Sequence, residues 1–159
     1  MEAQAKQPIL ILGAGAQARE TAGYFRSIPG AEIVGFADEF GGDGRTLLGR
    51  PHLNVANLAI DGRTALITAF GDQKLRRRFA ALFKAQVFTN CISVPLNPSI
   101  RVGDDVTIAP GCTLTEDIVV GSHVLINIGC NLNHDVVIGD YATISPGVNI
   151  AGHARIGEG

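Results

Sequence analysis

From Val102 onward an aliphatic residue stands at every sixth position: Val102, Ile108, Leu114, Val120, Ile126, Leu132, Ile138, Ile144, Ile150 and Ile156. Four residues after nearly every beat comes a second small or aliphatic residue, at Val106, Cys112, Ile118, Val124, Cys130, Val136, Ala142, Val148 and Ala154. A helix repeats its apolar face at about 3.6 residues and a half-buried strand at about two, so neither period fits. A fixed hexad with two inward positions, and with glycine next to the beat at Gly103, Gly121, Gly139 and Gly157, predicts a hexapeptide β-helix in which each repeat is a short strand and a turn. If three hexads make one coil, Cys112 and Cys130 stack on its inner face.

The first half follows another rule. Ile9-Leu10-Ile11-Leu12 reads as a buried strand over 8–12. It runs into Gly13-Ala14-Gly15-Ala16-Gln17-Ala18 and a helical stretch over 19–26. A second strand over 32–36 ends at Ala37-Asp38-Glu39, and further strands are predicted at 65–70 and 87–92. Between the last two lies a helix over 72–84, with Leu75, Phe79, Leu82 and Phe83 on one face. Strands alternating with helices imply a small parallel sheet, whereas the glycine-rich loop over 40–50 contributes flexibility more than chemistry. Pro95 and Pro98 redirect the chain after the last strand. The expected fold is therefore α/β plus all-β: a small Rossmann-like parallel sheet domain over 1–93, then a parallel β-helix over 94–159.

Composition narrows the partners. The 159 residues carry a net charge of −2, and 18% are charged. There is no basic stripe to neutralise a nucleic acid and no polybasic membrane patch. Residues 1–7 lack an apolar signal core, and no run approaches a transmembrane span. A cytoplasmic protein acting on small molecules is expected, with neither nucleic acid nor membrane as partner. The three cysteines show no CxxC spacing, so no disulfide framework and no metal is expected. Lys74, Arg76, Arg77 and Arg78 read as solvated helix surface.

Two constellations carry candidate chemistry. In the glycine turn, Gly13 and Gly15 permit a tight bend and close backbone approach, and the following helix offers free N–H groups to a phosphate. Asp38, at the end of the second strand, is placed for a ribose or base contact. In the repeats, His134 takes an outward hexad position with Asp135 beside it, and an acid beside an imidazole sets its tautomer and raises its basicity. Asn127, one repeat earlier, is a candidate to hold an acceptor group or carbonyl. His123 and His153 read as solvent-exposed turn histidines.

The whole chain resembles the nucleotide-sugar acetyltransferases of the PglD and NeuD type, which join a small Rossmann-like domain to a left-handed β-helix. The resemblance rests on Ile11-Leu12-Gly13-Ala14-Gly15, Gly35-Phe36-Ala37-Asp38, the run from Phe70 to Arg76, and the run from Asn133 to Tyr141. It implies an acetyl-CoA-dependent transfer to an amine or hydroxyl of a nucleotide-linked sugar. His134 would be the base, Asp135 its partner, and no metal would take part. Gly13, Gly15, Asp38 and Asn127 would contact the sugar nucleotide, while Gly147 and Gly152 would contact acetyl-CoA. A homotrimer is implied, and NAD is not. Relatives run on for several hexads past the position of Gly159, so a C-terminally truncated chain is expected. The rival expectation is a non-catalytic trimeric module that binds sugar nucleotides.

Overall fold

The computed structural model describes residues 6–159; residues 1–5, part of the segment read above for a missing signal core, lie outside them. Strands β1 (Gln7–Leu12), β2 (Ala31–Asp38), β3 (Thr46–Leu47), β4 (Arg50–Asn54) and β5 (Ala65–Thr68) form one sheet in the order β3-β4-β2-β1-β5. All neighbours are parallel except β3 and β4. Helix α1 (Ala16–Phe25) follows β1, and α2 (Gln73–Leu82) follows β5.

The apolar run in β1 is explained by burial on both faces, as a central parallel strand requires. Ile9 and Ile11 pack with Ala18, Ala22 and Phe25 of α1, whereas Leu10 and Leu12 pack with Phe79 of α2 and with Phe83. Strand β4 was not foreseen. Its sequence, Arg50-Pro51-His52-Leu53-Asn54, has no continuous apolar run and places a proline near the sheet edge, where a missing ladder donor is tolerated.

The β-helix is made of strands two residues long. They are β6 (Cys91–Ile92), β7 (Arg101–Val102), β8 (Thr107–Ile108), β9 (Thr113–Leu114), β10 (Val119–Val120), β11 (Leu125–Ile126), β12 (Asn131–Leu132), β13 (Val137–Ile138), β14 (Thr143–Ile144), β15 (Asn149–Ile150) and β16 (Arg155–Ile156). They stack into three parallel sheets, β7-β10-β13-β16, β6-β8-β11-β14 and β9-β12-β15. Register is offset by 18 residues from β7 onward, as in Ile126 on Ile144 and Leu132 on Ile150, whereas β6 pairs with β8 at an offset of 16, Ile92 on Ile108. Three hexads therefore make one coil. Both hexad columns, with Cys112 and Cys130 in the second, fill the interior as far as Ala154, whereas the last beat, Ile156, is 37% exposed.

Two expectations for the seam between the halves are corrected. The strand expected over 87–92 is divided: Phe88 bridges to Leu66 of the first sheet, while Cys91–Ile92 pairs with β8 of the coil. The face of α2 is also rotated from the expected one. Leu82 is 59% exposed and Leu75 lies near the surface, whereas Arg76, Phe79 and Ala80 are buried. Arg76, read as solvated, is only 2% exposed.

The Arg76 guanidinium explains the rotation. It donates to the carbonyls of Phe70 (2.8 Å) and Gly71 (3.1 Å) in its own domain. Across the seam it donates to the carbonyls of His123 (3.0 Å), Tyr141 (2.6 Å) and Ala142 (3.2 Å) and to Thr143 Oγ1 (2.7 Å). Beside it, buried Asp105 accepts from the backbone N–H and hydroxyl of Thr68, at 2.7 and 2.6 Å, and pairs with His123 Nδ1 at 2.7 Å. Burial pushes the Asp105 carboxyl above the usual carboxylate range, opposed by the bonds from His123 and Thr68. His123 is thus not an exposed turn residue. Its ring stacks on Tyr141 and meets Phe88 edge-on.

Cys91 is fully buried against α1, and burial pushes its thiol from 9.0 up to about 12. The native protein is expected to leave Cys91 unmodified by iodoacetamide at pH 8 and to become labelled there only on unfolding, as read by peptide mass spectrometry. The raised pKa contributes no penalty below about pH 9, where the thiol is neutral in both states. Between pH 9 and about 12 the unfolded chain loses the proton first, so stability falls, by at most about 1.4 kcal/mol per pH unit. Labelling of Cys91 in the folded protein at the rate of a free thiol would contradict this placement.

Candidate active site

The coil turns at a fixed hexad position. A positive φ, between 53° and 78°, recurs at Asp105, Gly111, Asp117, His123, Gly129, Asp135, Tyr141, Gly147, His153 and Gly159, always three residues after the beat. Left-handed backbone favours glycine and tolerates Asp and His better than most side chains. Because each coil takes three hexads, these turns stack as three corners. One corner, with Asp105, His123 and Tyr141, docks on α2. A second carries Gly111, Gly129 and Gly147. The third stacks Asp117, Asp135 and His153, preceded by Glu116, His134 and Gly152.

The third corner brings the expected catalytic pair together. His134 Nδ1 lies 2.9 Å from Asp135 Oδ2, and both side chains are exposed. An ionised carboxylate only accepts, so Nδ1 carries the hydrogen and Nε2 presents a lone pair to solvent. The coil above closes on the pair: the backbone N–H of His153 donates to the His134 carbonyl at 3.0 Å. The His153 ring stands edge-on to that of His134, and its Nδ1 is 3.7 Å from the same Asp135 oxygen. His153 was read as a plain turn histidine; its spacing of 18 residues from Asp135, one full coil, was the signal that it belongs to this corner.

Gly152 lies directly over the imidazole. A methyl group built on it would be 2.6 Å from His134 Cε1 and 2.8 Å from Nε2. The rotamer of His134 thus depends on the missing side chain one coil later. Gly152→Ala is expected to displace the ring and, if His134 acts as the general base expected from sequence, to lower turnover by about 10²-fold, the scale of a roughly 1 Å misplacement. The exposed corner should leave the melting temperature nearly unchanged. Unaltered turnover would show that the ring position does not matter.

The other candidates fall into two separate places. Gly147 is exposed at the second corner, its N–H donating to the Ile128 carbonyl at 2.9 Å. Asn127 approaches that same corner rather than the one bearing His134, and its side-chain amide donates to the Ile144 carbonyl at 3.0 Å. In the sheet domain, Gly13, Gly15 and Asp38 gather at the carboxyl ends of β1 and β2, where the Gly13 N–H donates to the Ala37 carbonyl at 2.7 Å. Gly13 has φ 118°, and a side chain there would press on the Ala69 carbonyl and the Phe70 ring. Gly15 caps α1 without a side-chain bond, leaving the first helical N–H groups for a ligand. Asp38 Oδ1 accepts from the Phe40 N–H (2.8 Å) and pairs with His52 Nε2 (2.7 Å). Oδ2 has no hydrogen-bond partner among the described residues. No hydrogen bond joins this group to His134 or Asp135 among those residues.

Residues 117–152 match the family model of the bacterial transferase hexapeptide, six repeats. Solved structures share the fold across nearly the whole chain. A histidine-to-alanine mutant of GDP-perosamine N-acetyl transferase from Caulobacter crescentus, in complex with CoA and GDP-perosamine, aligns with a TM-score of 0.79 at 22% identity, covering 94% of this chain and 77% of that one. The acetyltransferase domain of PglB from Neisseria gonorrhoeae in complex with acetyl coenzyme A aligns with a TM-score of 0.72 at 18% identity, covering 98% and 87%. WeeI from Acinetobacter baumannii aligns with a TM-score of 0.63 at 19% identity, covering 95% and 89%. The coils fit a left-handed β-helix of this kind. Comparison with curated protein sequences finds no match. Among the described residues no helix is long and apolar enough to cross a membrane.

Proposed function

We propose that the protein is an acetyl-CoA-dependent acetyltransferase that acetylates an amine or hydroxyl of a nucleotide-linked sugar. The observation that carries this reading is the His134–Asp135 pair, exposed at a corner of a coil that shares its fold with sugar N-acetyltransferases. Asp135 holds the Nδ1 hydrogen, and Nε2 accepts the proton of the attacking amine or hydroxyl. That nucleophile adds to the thioester carbonyl. Collapse of the adduct expels the CoA sulfur, which takes the proton back from Nε2, leaving His134 neutral for the next cycle.

The sheet domain, over 1–93, supplies the nucleotide site on this reading and is Rossmann-like. It carries helices on both faces, and its chain order reverses beside β1, where α/β sheets bind ligands outside the strands' carboxyl ends. Gly13, Gly15 and the α1 N-terminus receive the phosphates, and Asp38 Oδ2 a ribose or base hydroxyl. The coil domain, over 94–159, carries the base, with Gly147 and Gly152 toward acetyl-CoA and Asn127 toward the sugar. The assembly is a homotrimer.

The test is incubation of the chain with acetyl-CoA and a panel of nucleotide-linked amino and hydroxy sugars, following thiol release and acetylated product. Acetylation of one of them supports the proposal. Calorimetric binding of a sugar nucleotide, with no binding or consumption of acetyl-CoA, would sink it in favour of a non-catalytic binding module.

A further inference from the structure

We infer that His134, Asp135 and His153 form a binding site for a borderline divalent transition-metal cation, with Zn²⁺ the natural probe, and that its occupancy excludes acetyl transfer. Among the described residues this is the one group of three or more His, Cys, Asp or Glu side chains whose donor atoms converge, all within 4.8 Å of one another.

The geometry suits coordination. Asp135 Oδ2 is 2.9 Å from His134 Nδ1 and 3.7 Å from His153 Nδ1. A cation bonded at about 2.0–2.2 Å to each donor at angles of about 90–120° needs donor pairs roughly 2.9–3.7 Å apart. The two pairs through Asp135 already meet that requirement, and rotation of the exposed His153 ring closes the third. Asp135 and His153 occupy the same left-handed turn position on successive coils, with φ of 60° and 63°. Two imidazole nitrogens and one carboxylate oxygen favour Zn²⁺, Ni²⁺ or Cu²⁺ over Mg²⁺ and Ca²⁺, which prefer all-oxygen sites. Exposure of all three side chains leaves the remaining coordination positions to water.

The consequence for the site follows from the shared atoms. A metal on His134 Nδ1 and Asp135 Oδ2 replaces the hydrogen bond between them, and the displaced hydrogen moves to Nε2, the atom that would accept the substrate proton. Metal binding stands on the three side chains alone. Only the inhibition rests on the acetyl-transfer reading.

The experiment is titration of the tag-free full chain with Zn²⁺ by calorimetry in metal-free buffer, with His153→Asn and Asp135→Asn alongside. Asparagine is well tolerated in left-handed turns, so the His153 variant keeps the corner folded. One Zn²⁺ per chain, bound about tenfold or more weaker by each variant, is expected. Absence of saturable binding, or equal affinity in His153→Asn, overturns the site. In the acetylation assay Zn²⁺ should inhibit wild type, and His153→Asn should need about tenfold more of it for the same fractional inhibition. Tight, His153-dependent binding without inhibition would retain the metal site, overturn the exclusion, and count against His134 as the base.

Discussion

Replacing His134 with asparagine is expected to lower kcat for acetyl transfer by about 10²–10⁴-fold, the usual worth of a positioned general base. The loss should fall on turnover, with KM for acetyl-CoA little changed, because the imidazole is proposed to take a proton and not to hold the coenzyme. Stability should hardly move, since the side chain is 57% exposed and its only hydrogen bond among the described residues is to the neighbouring Asp135. Asp135→Asn should also lower kcat: an amide can turn its NH₂ toward Nδ1, favouring the tautomer whose Nε2 is already protonated. Steady-state kinetics with thermal melting of each variant checks both statements. A His134→Asn variant that keeps wild-type turnover removes the histidine mechanism.

The largest expected effect on stability lies at Arg76. Arg76→Met keeps much of the apolar stem but removes the guanidinium that binds five carbonyls and one hydroxyl. Burial alone lowers the affinity of this group for its proton, with Asp105 and Asp72 opposing the shift, so the charge is kept in place by its partners. Removing it takes donors from carbonyls on both sides of the seam and removes a favourable charge from Asp105, which keeps His123. Breaking such a buried arrangement from one side costs about 3–5 kcal/mol. Arg76→Lys should recover only part of this, because an ammonium has three donors and no planar fork to span two domains. Urea unfolding of the three proteins measures it. A cost below about 1 kcal/mol for Arg76→Met would mean that the seam is held by packing alone.

The two halves differ in how much of this was legible in sequence. In the coil every inward residue answers to the hexad rule, since each repeat meets only its neighbours and the environment recurs with the period. The β-helix, its interior cysteines and the outward His134–Asp135 pair could all be read from the beat. In the sheet domain, β1, the glycine turn and Asp38 were legible because local pattern and burial agree. Strand β4 was not, because it lies next to the edge, covered on its outer side only by the two residues of β3, and has few apolar positions to reveal it. The face of α2 was misread for a different reason: hydrophobic periodicity counts leucines, and the side chain buried there is an arginine whose partners come from residues 123, 141, 142 and 143.

By itself the sequence determined the repeat, the phase that puts His134 outside and Cys130 inside, and the glycine turn at the end of β1. These are set within a few residues by chain geometry and apolar period. Only the tertiary structure decided that Gly152 makes room for the His134 ring, that His153 shares its carboxylate, and that Arg76 and Asp105 lock the domains together. Each of those contacts joins groups at least 18 positions apart in the chain. They exist because stacking coils and docking helices convert distant residues into neighbours, and a buried charge survives only where such neighbours supply its hydrogen bonds.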